Sequence, residues 1–121
     1  MNNIEHFERV WPWLAAALEH AGKTHRKEDL RRCIEEGVCQ LHPLRNGAMV
    51  TTIQVHPLWS QGCQLVASRG NLQEIVEVMP LLEVWLRSEG CTRAVVSGRQ
   101  GWLKRLPTYH QMGVIMEKDL T

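Results

Sequence analysis

Between Cys63 and Ser97 the sequence reads strand, helix, strand, and that order restricts the fold more than any other stretch. CQLVAS (63–68) has the pattern of a strand. Arg69-Gly70-Asn71 breaks it, and Asn71 with Glu74 three residues on is a capping-box pattern that opens a helix. Leu72, Ile75, Val76, Met79, Leu82, Trp85 and Leu86 then keep helical spacing as far as Glu89, where Gly90 supplies a stop. CTRAVVS (91–97) returns to strand. Two strands joined through a helix cannot form a hairpin; the helix is a crossover and the strands run parallel. Pro80 lies inside the helical run. Its missing N–H and its ring predict a kink, or a break into two helices, near Val78 and Met79.

The preceding half has a different character. Residues 11–20 read as a helix with Pro12 in its first turn, an apolar stripe of Val10, Trp13, Leu14, Ala17 and Leu18, and a stop at Gly22. Residues 25–36 form a second helix, capped by Thr24, with Leu30, Cys33 and Ile34 facing inward and Gly37 ending it. Its outer face mixes Arg26, Lys27, Arg31 and Arg32 with Glu28, Asp29, Glu35 and Glu36, the pattern of a solvated face. VCQLHPL (38–44) is a short strand whose Pro43 suits an edge. Arg45-Asn46-Gly47 is a turn signal, and AMVTTIQVH (48–56) alternates as its hairpin partner. After the crossover, GRQGWLKRL (98–106) predicts a short helix and MGVIMEKDL (112–120) a last strand. The expected order is α-α-β-β-β-α-β-α-β, an α/β domain over 1–121 with a mixed, mostly antiparallel sheet and flanking helices.

Composition removes several classes. With 14 Lys and Arg against 13 acids, the net charge of +1 does not mark the chain as a binder of nucleic acid or anionic membranes. No apolar run approaches the length that spans a bilayer, and MNNIEHFERVW has no secretory h-region. Cys33, Cys39, Cys63 and Cys91 include no CxxC pair, and without a signal they read as reduced thiols. The six histidines show neither HExxH nor a Cys–His knuckle, so no metal is expected. Of five tryptophans, Trp13 and Trp85 fall on apolar helix faces, whereas periodicity does not assign Trp59 or Trp102 to a core.

This order of elements resembles the GNAT acyltransferase superfamily, with the family's first strand missing or reduced. YHQMGV (109–114) is similar to the family's Tyr-x-x-x-Gly-aromatic segment, and WLRSEGCTRAVVSG (85–98) to the helix end, turn and strand that precede it. The whole chain also resembles short GNAT-like proteins of tailed bacteriophages, which share endings close to GRQGWLKRLP…EKDL. The resemblance implies a GNAT-like domain that uses acetyl-CoA or another acyl-CoA to acylate an amine. It further implies a phage-encoded protein in the cytoplasm of a host cell. The alternative it leaves is an inactive GNAT fold serving as a virion component or as a binder of a host protein.

A pyrophosphate needs backbone N–H groups at a helix start and small residues that let it approach. The family's usual pattern is Arg/Gln-x-x-Gly-x-Gly/Ala. Its match here is Arg69-Gly70-Asn71-Leu72-Gln73-Glu74, which makes Arg69, Gly70 and Asn71 the expected cofactor contacts. Leu72 and Glu74 stand where glycines are usual; Leu72 adds bulk and Glu74 adds negative charge beside a phosphate. A second register, on VHPLWSQGCQ (55–64), puts Cys63 and Leu65 at the glycine positions and fails the same pattern.

Acyl transfer to an amine needs a base for the ammonium proton and an acid for the thiolate. The resemblance assigns the acid to Tyr109, the one tyrosine of the chain, against a plain packing role at a loop–strand junction. The strands offer His42 and His56 and no carboxylate; His56 beside Pro57 reads first as a turn residue. Arg93, Arg99, Lys104 and Arg105, with Trp102 among them, make a basic stretch that suits the 3′-phosphate of CoA, another anion, or simply a solvated helix. VCQLHPL and the last strand are pairing edges that leave a dimer open.

Overall fold

The computed structural model describes residues 3–20, 25–67, 72–96, 104–114 and 116–121. Helices α1 (Asn3–His20) and α2 (Lys27–Glu35) come first, then strands β1 (Gln40–Leu44), β2 (Gly47–Val55) and β3 (Ser60–Ala67), helix α3 (Leu72–Ser88) and strand β4 (Arg93–Val95). The sheet order is β1-β2-β3-β4. β1/β2 and β2/β3 are antiparallel, and β3/β4 is the parallel pair that the crossover requires.

α1 begins at Asn3, well before the expected start at Trp11, so Pro12 lies inside it rather than in its first turn. Phe7, Val10, Leu14, Ala17 and Leu18 form one buried row along the longer helix. Pro12 is tolerated because it faces solvent. α2 is capped from Arg26, whose backbone N–H donates to Asp29 Oδ2 at 3.1 Å. This is the backbone half of a capping box. The expected cap, Thr24, lies outside the described residues. Cys39 follows α2 in the core; burial first, and Cys33 beside it, push its thiol up to about 11.

The expected break at Pro80 is absent: α3 is one helix from Leu72 to Ser88. Pro80 is exposed, while Ile75 and Met79 before it and Leu82 and Leu86 after it are buried in one cluster. Tertiary packing on both sides holds the helix through the lost hydrogen bond.

Alternate residues of β2 build two cores on opposite faces of the sheet. Ala48 and Val50 join Phe7, Leu14, Leu18, Leu30 and Ile34 beneath α1 and α2. Met49 joins Ile75, Met79, Leu82, Leu86 and Leu106 beneath α3. β3 carries a bulge: Val50 pairs with Val66 but Thr51 with Gln64, leaving Leu65 as the extra residue. The described β3/β4 ladder runs from Gln61/Arg93 to Cys63/Val95, and β3 then continues to Ala67 against β2.

Of the helix expected over 98–106, Lys104 and Arg105 are helical, and residues 98–103 lie outside the described residues. The expected last strand is not formed. Residues 112–114 and 116–121 belong to no helix or ladder, because no described strand lies alongside to pair with them. No helix among the described residues is long and apolar enough to cross a membrane.

Candidate functional site

Two places on the α3 side of the sheet carry chemistry. The first is the start of α3. Arg69, Gly70 and Asn71, the expected phosphate contacts, lie outside the described residues. What the structure adds is Arg105: its guanidinium donates to Gln73 Oε1 at 2.9 Å, bringing the basic stretch of Lys104 and Arg105 to the first turn of α3. Glu74 Oε1 accepts the backbone N–H of Asn46 at 3.0 Å, which draws this carboxylate toward the β1–β2 turn.

The second place is a cleft of about 900 Å³ between the last turns of α3, β4 and residues 108–112. Tyr109 lines it, half-buried, and its hydroxyl donates to Glu83 Oε2 at 2.8 Å. A backbone bond from Tyr109 to the carbonyl of Leu106 (3.0 Å) fixes the turn that presents the ring, and Leu106 itself is buried. Burial, then the hydrogen bond and charge of Glu83, push the Tyr109 phenol well above its usual range, with Arg87 pulling weakly back. Tyr109 is therefore neutral at physiological pH, and its proton is directed at a carboxylate.

Sequence reasoning misses Glu83. It looks for a base along the strands, and Glu83 sits on a helix. The one signal for it is its place between Leu82 and Leu86 of the apolar stripe, at the border of the buried face.

The two strand histidines lie elsewhere. The hydroxyl of Thr51 donates to Gln40 Oε1 at 3.1 Å. The same oxygen lies 2.8 Å from His42 Nε2. With its own proton committed to Gln40, Thr51 Oγ1 accepts from the imidazole. The His42 ring meets Trp85 edge-on at 5.0 Å, and burial lowers its pKa. His42 belongs to a packed network between β1, β2 and α3. His56 has the turn role: its N–H donates to the Trp59 carbonyl at 2.8 Å and its ring lies 4.4 Å from that of Trp59. Trp59, unassigned by periodicity, carries the guanidinium of Arg93 over its ring at 3.9 Å, a cation–π contact. Arg99 and Trp102 lie outside the described residues. Cys91 is buried, and Cys33, Cys39 and Cys91 are all free thiols. Among the described residues no three His, Cys, Asp or Glu side chains converge as metal ligands.

No family model matches the sequence, and no curated protein matches it by sequence. Solved structures do share its shape. The crystal structure of a probable acetyltransferase superposes with a TM-score of 0.70 at 11% identity, over 99% of this chain and 94% of the other. The fold is that of an acetyltransferase. A second structure, a Trypanosoma brucei acetyltransferase, superposes with a TM-score of 0.55 at 16% identity, over 90% of this chain and 94% of the other. The acetyltransferase fold agrees with the GNAT-like architecture expected from the order of elements: among the described residues, helices α1, α2 and α3 flank a mixed sheet of β1–β4, with its parallel pair joined through α3. At these identities the likeness is one of fold, and residue roles rest on the geometry above.

Proposed function

We propose that the protein transfers an acyl group from acyl-CoA to an amine. The observation that carries this reading is Arg105 bonded to Gln73 at the start of the crossover helix of an acetyltransferase fold. A helix start offers unsatisfied N–H groups to a phosphate, and Lys104 and Arg105 add positive charge beside Leu72 and Glu74, where the usual glycines are missing. Arg69, Gly70 and Asn71 would complete the pyrophosphate contacts. Asn46 holds Glu74 Oε1, which supports room for an anion there despite the missing glycines.

The reacting end falls at the cleft. Glu83 lies about three helical turns beyond Leu72, a separation that an extended pantetheine arm can span. β3 beyond Cys63 offers an extended backbone along which the amides of such an arm can pair.

In this reading Glu83 takes the proton that the attacking amine loses, and Tyr109 gives its proton to the departing thiolate. Their hydrogen bond returns the proton from Glu83 to Tyr109, so the net transfer is from nitrogen to sulfur. The raised phenol pKa disfavours a free tyrosinate, so the relay moves both protons together.

The test is binding first, then turnover. Acetyl-CoA at a hundred times its Kd should stabilise the chain by ~2.7 kcal/mol, visible as a rise of several degrees in Tm. Arg105→Ala should weaken that binding several-fold while leaving the Tm of the free protein within a degree or so. Tyr109→Phe and Glu83→Gln should keep the affinity and lower kcat by ~10²-fold or more. No thermal shift at millimolar acetyl-CoA rejects the reading, and an unchanged kcat in Tyr109→Phe removes the relay from it.

A further inference from the structure

We propose that Cys33 and Cys39 form a dithiol site that small-molecule disulfides oxidise to a Cys33–Cys39 bond, pinning the end of α2 to the start of β1. The inference stands apart from the acyl-transfer reading and lies on the other face of the sheet. It starts from how α2 ends. The N–H of Val38 reaches the carbonyl of Cys33 at 2.9 Å, and that of Gly37 reaches Ile34 at 3.2 Å. These are the paired bonds of a Schellman ending, with Gly37 in the left-handed region at φ 77°. A third bond follows: the N–H of Cys39 also reaches the Cys33 carbonyl, at 3.1 Å. The chain is thereby folded back until position 39 lies over position 33.

In a Schellman ending the residue after the glycine commonly packs on the last turn of the helix. Here Val38 takes that position and is 56% exposed, while Cys39, one further on, is 5% exposed. Cys39 sits in the core beneath α1 and α2, and Cys33 packs against that core. The side chains of Cys33 and Cys39 are hydrogen-bonded to each other. Backbones one hydrogen bond apart and thiols in contact meet what a disulfide requires, so the bond closes without moving α2 away from β1.

The two sulfurs differ in access. Cys33 is half-buried and Cys39 is buried. Burial and the neighbouring thiol also keep Cys39 protonated at neutral pH. Exchange therefore begins at Cys33: its thiolate attacks a disulfide such as oxidised glutathione, and one glutathione thiolate leaves. Cys39 then attacks the Cys33 sulfur, and the second glutathione thiolate leaves and takes up the Cys39 proton. Two protein S–H bonds and the glutathione S–S bond break; one protein S–S bond and two glutathione S–H bonds form. The cysteine pair loses two electrons, and glutathione disulfide gains the same two. Cys91 is buried in the other core and takes no part.

Mass mapping on the full folded chain decides it. Incubated with oxidised glutathione, the chain should lose the mass of two hydrogen atoms at this pair and keep no glutathione there. Cleavage after Arg32, Glu36 and Arg45 separates the two cysteines, so the fragments holding Cys33 and Cys39 should stay joined until a reductant is added. In a buffer of reduced and oxidised glutathione, the exchange constant should be about ten-fold or more larger for the folded chain than for the chain in urea, and the linked chain should melt several degrees higher. Cys39→Ala should stop at the mixed disulfide, with one glutathione held on Cys33. The wild-type mapping keeps the test independent of how that variant folds. A pair that stays reduced overturns the proposal, as does one that holds glutathione on Cys33 without closing the bond. A link that forms no better in the folded chain than in urea overturns it too.

Discussion

Thr51 settles the state of His42, because a hydroxyl that donates to Gln40 has only its lone pairs left for the imidazole. His42 is thus held neutral, with its proton on Nε2 and its ring against Trp85. Burial lowers its pKa below the usual 6.5. The unfolded chain therefore binds a proton more readily than the folded one just below pH 6.5, and stability must fall as pH drops through that window. Urea unfolding from about pH 7 to about pH 5 should show this loss, and His42→Gln should flatten the slope. Parallel curves for the two proteins would remove His42 as the cause. At this scale the sequence names His42, His56, Tyr109 and Arg105 but not their partners. Glu83 with Tyr109, Gln73 with Arg105 and Trp59 with Arg93 lie far apart in the chain, so only packing brings them together.

Elements are legible where their boundaries are local chemistry. Gly37 and Gly90 read as helix stops, and both adopt positive φ, at 77° and 86°. At the end of α3 the N–H of Cys91 reaches the carbonyl of Leu86 (2.9 Å) and that of Gly90 reaches Arg87 (3.0 Å). These are the paired bonds of a Schellman ending. Gly90→Ala meets no atom but forces an L-residue into the left-handed region, at a cost of ~1–2 kcal/mol measurable by denaturation. Gly62 serves a different need: a Cβ there would strike the buried side chain of Leu86, so β3 and α3 approach closely only because position 62 is bare. Elements are misread where a local rule meets a stronger tertiary one. Pro12 and Pro80 both sit inside helices because each faces solvent while its neighbours anchor the helix to a core. The 112–120 strand fails for the converse reason, since a strand's pattern does not provide the neighbour it must pair with.

At the scale of the whole molecule, one sheet divides two cores. Leu14 belongs to the core under α1 and α2, and Met79 to the core under α3. Leu14→Ala and Met79→Ala should each cost ~2–5 kcal/mol, and the double variant their sum within ~0.5 kcal/mol, because the sites lie in separate clusters. Urea titrations of the four proteins measure this, and a clear departure from the sum would show that the sheet couples its faces. The order of helices and strands as far as β4, the crossover and its parallel pair were determined by the sequence alone. They follow from periodicity, turn chemistry and connection length, all of which act over a few residues. Which carboxylate faces Tyr109 and which cation reaches the start of α3 were decided only by the tertiary structure. Those contacts join residues 26 and 32 positions apart, and no short-range rule acts over such a distance.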